Sequence, residues 1–142
     1  MIMKFDIYTR LYLAHHKFSS TIENEMFDSC TPVVQTQIIK FAKSLLLFEI
    51  HDQLTIVALN DREKELFDKY SEMIGVAYDM VDVTEKAILG ELRTSRLAMK
   101  NVVNPYLKRN LTVDIVLDKI NIKGIESLSS IDRSILESVS QV

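Results

Sequence analysis

Residues 61–106, DREKELFDKYSEMIGVAYDMVDVTEKAILGELRTSRLAMKNVVNPY, decide how the chain is read. Phe67, Tyr70, Ile74, Ala77, Val81, Thr84 and Ile88 recur at alternating spacings of three and four, which line one side of an α-helix. Leu92, Ser95, Met99, Val103 and Tyr106 continue the stripe after a register shift beside Gly90. Asn60 or Asp61 is placed to cap, and Glu63 and Glu65 fall where the helix dipole favours negative charge. The pattern predicts a long amphipathic helix over 61–103. Those 43 residues would span roughly 65 Å at 1.5 Å each, whereas a compact domain of this size is roughly 40 Å across. The helix must then break near Gly90 into a hairpin, or protrude and find a partner that covers its apolar stripe.

Upstream, Thr31-Pro32 is a start signal: a capping hydroxyl, then a residue whose fixed φ suits the first helical position. Val34, Ile38, Phe41, Leu45 and Phe48 follow at helical spacing to about Glu49, and apolar flanks make this helix central to the expected core. Leu54–Leu59 could close a short β-hairpin at 45–59 or continue the helix. Residues 4–17 fit both periods and are read as helix. Ser20 with Glu23 forms a capping-box pattern for a short helix over 21–29. Downstream, Thr112 caps a helix with Val113, Val116, Leu117 and Ile120 inward. Gly124 ends it, and Ser129 with Asp132 caps a last helix carrying Ile135, Leu136 and Val139. The expected fold is therefore mainly α, with a helical core over 1–109 and a C-terminal helical hairpin over 110–142.

Composition agrees with long regular elements, because 142 residues hold only three glycines and two prolines. The single cysteine, Cys30, cannot form an internal disulfide, and no Cys/His cluster suggests zinc, so no metal or cofactor is expected. The first residues do not form a secretory leader, and the most apolar stretch, Leu45 to Leu59, carries Glu49, His51 and Asp52 and is too short to cross a bilayer. A cytoplasmic protein is expected.

Charge is segregated. Residues 1–60 carry a net −1, 61–92 a net −5, 93–109 a net +5 and 110–142 a net −2. Arg93, Arg96 and Lys100 would share one helix face and could hold phosphate groups, including those of a nucleic acid. Equally, they could pair with Glu85, Glu91 or a neighbouring subunit's Asp79 and Asp82. Solitary Cys30 beside a helix start reads as a packing residue, and Met73, Met80 and Met99 as core filling. Adjacent His15 and His16 diverge on a helix and cannot jointly hold a metal.

Arg10 and His15 form an Arg-x4-His spacing that resembles the catalytic motif of HEPN-type helical ribonucleases. That resemblance implies metal-independent RNA cleavage, with His15 moving a proton at the ribose 2′-hydroxyl and Arg10 steadying the phosphate. Separately, Leu117-Asp118-Lys119-Ile120, Lys123-Gly124, Ser127-Leu128 and Leu136 resemble a short tail motif, over residues 113–139, at the end of various bacteroidetal proteins, rhomboid-type membrane proteases among them. It implies a lineage and carries no protease site.

The function expected is a non-enzymatic protein–protein interaction or assembly module. Its surface would be the stripe of Phe67, Tyr70, Ile74, Val81, Ile88, Leu92 and Met99, meeting a second copy or another helical protein, with opposite charge segments setting direction. The ribonuclease reading is the alternative.

Overall fold

The computed structural model describes residues 5–16, 27–51 and 53–140. It is a mixed α+β fold rather than a helical bundle. Strand β1 spans Arg10–His16, helix α1 Pro32–Ser44, β2 Leu46–His51, β3 Leu54–Leu59, α2 Asp61–Met73 and β4 Tyr78–Asp82. The four strands form one antiparallel sheet in the order β2-β3-β1-β4. This β-α-β-β-α-β order, with β3 inserted between β1 and β2, is the split β-α-β arrangement.

Three sequence expectations are corrected here. Residues 10–16 are strand, because β1 pairs on both sides, with β3 and with β4. Local periodicity could not reveal neighbours so far along the chain. The helix expected to reach Glu49 stops at Ser44, whose hydroxyl donates to Phe41 O at 2.6 Å, and Leu45 turns extended. The anticipated hairpin is present as β2–β3. The long helix over 61–103 does not exist: α2 ends at Met73, and Gly75, at a φ of 70°, turns the chain into β4. Only glycine takes that left-handed conformation without strain. Within β4, Tyr78 and Met80 alternate inward with a period of two, but over only five residues this is outweighed by the four-residue spacing of Ala77 and Val81. The helix expected over 21–29 lies largely outside the described residues.

Tertiary layers follow from the pleat. Tyr12, Ala14, Val57 and Leu59 point to one face, beneath Phe67 of α2 and Phe41 of α1. Leu11, Ile56 and Ala58 point to the other, with half-buried Leu46, Phe48 and Ile50. Because β3 is covered on both faces, it reads as an apolar run broken only by Thr55 instead of an alternation. Helix α1, expected at the centre, has no fully buried residue and leaves Val33 68% exposed.

The second face is covered by the C-terminal helices: α3 Thr84–Ile88, α4 Arg96–Ala98, a π-helical turn Met99–Val103, α5 Asn104–Asn110, α6 Val113–Lys123 and α7 Ser130–Ser140. Ala98, Val102, Val103 and Tyr106 are fully buried there, each large side chain stabilising the fold by about 1.5–3 kcal/mol. Pro105 accounts for the π turn. It lacks the N–H for an i−4 bond and its ring would strike the carbonyl one turn back, so the helix widens and Asn104 N donates to Met99 O instead.

Thr112 caps α6, Gly124 ends it at a φ of 85°, and Ser129 and Asp132 cap each other's backbone N–H groups at the start of α7. The inward face of α6 differs from expectation. Leu117 is 46% exposed, whereas Lys119 is 3% exposed and donates to Asp132 at 2.6 Å. Ile115 of α6 and Ile131 and Ile135 of α7 join the same cluster as Leu11, so the C-terminal segment packs onto the sheet.

Candidate interaction surface

The densest polar structure is built on Arg10. The β1 pleat turns its side chain toward the end of β4, where Asp82 Oδ2 accepts from Nε at 2.6 Å. Nη2 donates to both oxygens of Glu85, at 2.5 and 2.6 Å, and Nη1 to Phe5 O at 3.0 Å. Thr84 completes the set: its hydroxyl donates to Asp82 Oδ1 at 2.6 Å and accepts from Leu11 N at 2.8 Å. Nearby, the Tyr106 hydroxyl donates to Thr9 O at 2.5 Å.

Burial alone would lower the Arg10 pKa, but hydrogen bonds and charge from Asp82 and Glu85 raise it overall. Burial likewise opposes ionisation of Asp82, yet Arg10 and both donors of Thr84 hold its carboxyl below the ordinary range. Burial pushes the Tyr106 phenol well above its ordinary value. Among the described residues no buried side-chain polar atom lacks a partner. The network is a closed clamp joining the segment at Phe5, the start of β1 and the end of β4.

This geometry bears directly on Arg10 and His15. Five residues apart on a strand, they point to opposite faces and lie roughly 17 Å apart along β1. His15 is exposed, whereas Arg10 is 8% exposed and bound to two carboxylates. They cannot meet at one phosphate, and a helical Arg-x4-His face does not form.

The predicted stripe is likewise divided. Phe67, on α2, is buried against the sheet, and Tyr70 and Ile74 line a 150 Å³ apolar cleft with Phe41. Val81 sits on edge strand β4 and is 47% exposed. Ile88 is 1% exposed in the opposite cluster, where Leu92 and Met99 are half-buried against it. The chain itself encloses most of these side chains, on two sides of a sheet, so they form no common surface.

What remains accessible is the basic segment. Ser95 caps α4, accepting from Ala98 N at 3.1 Å, and this sets Arg96 and Lys100 one turn apart with Arg93 in the lead-in. All three are exposed and make no ion pair with a described residue. Their nearest acids in sequence are engaged elsewhere: Glu85 and Asp82 hold Arg10, and Glu91 pairs with Lys123. Among them stands Leu97, 58% exposed. Sequence reasoning missed Leu97, because an outward leucine beside a cationic stripe is visible only once Ala98 is known to be the buried neighbour. It offered Asp82 and Glu85 as partners for the basic stripe and Thr84 as part of the apolar one, and missed their network with Arg10 because the segment reads as helix.

On the other side of the sheet, a groove of about 330 Å³ opens where α2 meets β4. Gly75, Val76, Ala77 and Tyr78 line it, and exposed Asp68 and Glu72 stand on its rim. Among the described residues, no three His, Cys, Asp or Glu side chains are grouped to hold a metal ion. No described helix is long and apolar enough to cross a membrane. No protein family, curated protein or solved structure matches the chain, so its chemistry is argued from these residues alone.

Proposed function

We infer that this protein is a non-enzymatic interaction module that associates with copies of itself, through surface charge and isolated exposed apolar side chains instead of a continuous helical stripe. One observation carries this reading: the exposed Arg93, Arg96 and Lys100 flank the exposed Leu97 in sequence while the acids nearest in sequence are bound elsewhere. Cations left unpaired around an apolar side chain favour an acidic, partly apolar partner.

Two further features support it. The chain carries both signs of charge in separate segments, so one copy offers what another lacks. The Arg10 guanidinium is already neutralised by Asp82 and Glu85 and is 8% exposed, which disfavours it as the cation that binds a substrate phosphate.

Sedimentation equilibrium from micromolar to millimolar protein tests the reading. The expected result is a mass that rises with concentration and falls with added salt. A constant monomer mass would refute self-association. If the monomer instead shifted RNA or DNA in a gel, and Arg96→Glu with Lys100→Glu abolished the shift, the cations would belong to nucleic-acid binding.

A further inference from the structure

We propose that self-association is head to tail: Leu97 of one copy, with Arg96 and Lys100 beside it, seats in the groove between α2 and β4 of the next, where Asp68 and Glu72 receive the cations. This deepens the self-association reading and rests on it.

Shape, charge and placement meet here. Leu97 projects from a short helix whose neighbour Ala98 is fully buried, so its backbone is anchored and its side chain stands clear of the surface. The groove has an apolar floor in Val76, Ala77 and Tyr78, and its 330 Å³ exceed one leucine side chain, leaving room for the stem of Arg96. The rim acids are accessible. Asp68 reaches Lys64 only at 3.8 Å, a surface pair that contributes little and yields readily to a better partner. Glu72 makes no ion pair with a described residue. Lys69, the nearest cation in sequence, does not line the groove.

Placement makes the contact heterologous. Leu97 lies on the helices that cover the Ile56 face of the sheet, and the groove lies beside α2, which covers the Val57 face. One molecule therefore cannot use both on the same neighbour by simple two-fold pairing, and copies add in series or close a ring. The contact is small, so a dissociation constant on the order of 100 μM is expected.

Complementary variants of the full chain provide the test, with circular dichroism confirming that each is folded. Leu97→Asp destroys the knob and keeps the groove; Asp68→Lys with Glu72→Lys destroys the groove and keeps the knob. Each alone is expected to weaken association at least about tenfold. Mixed together, they should form a one-to-one dimer that grows no further, since only one productive contact remains. If the wild-type chain associates and neither variant changes it, head-to-tail seating is wrong while self-association stands. If the two variants weaken association but do not recombine, the contact is two-fold and the proposal fails. A wild-type chain that stays monomeric near millimolar concentration overturns both readings.

Discussion

Replacing Arg10 with methionine keeps an unbranched apolar stem and removes every hydrogen bond that the guanidinium makes. Asp82 and Glu85 would then face each other without their shared cation, and Phe5 O would lose its donor. Breaking a fully buried ion pair costs about 3–5 kcal/mol. Asp82 is 33% and Glu85 21% exposed at the side chain, so water reaches both and a smaller loss follows, about 2–3 kcal/mol. For a chain of this size that corresponds to a fall in Tm of roughly 5–10 °C. Urea unfolding should show a lower midpoint at an unchanged slope.

The pH dependence gives the clamp its own signature. In the wild type Asp82 is held below the ordinary aspartate value, so its stabilising contribution is complete above about pH 4 and is lost as the pH falls further. Without Arg10, only the two Thr84 donors oppose burial and the Glu85 charge, and the Asp82 carboxyl rises from its wild-type position. The resulting penalty is present at neutral pH and is relieved by protonation on acidification. The stability gap between wild type and Arg10→Met should therefore shrink between pH 7 and pH 4. A loss below about 1 kcal/mol at pH 7, or a gap independent of pH, would refute the clamp as a stabilising unit.

Three further outcomes are expected. Lys119→Met should destabilise by about 3–5 kcal/mol in denaturant titration, because it strands Asp132 at 2% side-chain exposure. Asn60→Ala should cost about 1 kcal/mol, since Asn60 Oδ1 accepts from Glu63 N at 2.8 Å and Glu63 returns the bond to Asn60 N. Val81→Asp and Ile88→Asp should separate sharply in thermal melts: Val81, 47% exposed, tolerates a carboxylate, while Ile88, 1% exposed, does not and the domain unfolds.

What could be read ahead of the structure was local. Thr31, Asn60, Thr112, Gly124 and the Ser129–Asp132 pair each cap or end a helix by bonds that span three or four residues, so their chemistry is complete within a short window. Strands have no such window. His16 and Tyr78 meet across β1 and β4, and nothing within seven residues of either says so. Between Met73 and Thr84 the helical spacing of Ile74, Ala77 and Val81 masked the strand, and Gly75, whose positive φ ends the helix, was passed over between two stripe residues. The site fared similarly. Segregated charge singled out Arg93, Arg96 and Lys100, but Arg93 lies ahead of the helix instead of on a shared face, and which acids they lacked depended on Arg10 reaching Glu85 and Lys123 reaching Glu91.

The Tyr106–Thr9 bond joins residues 97 positions apart, and it has a bearing on how the chain is made. At ribosomal speeds of about 5–20 residues per second, β1 emerges roughly 5–20 s before the residue that locks its entrance. For most of that interval Leu11 and Leu13 lack β4 beside them, and throughout it they lack the helices from residue 106 onward above them. Until translation passes residue 106, nascent chains therefore expose that strand edge to one another, and aggregation at this stage would be set by the order of synthesis and not by the stability of the finished fold.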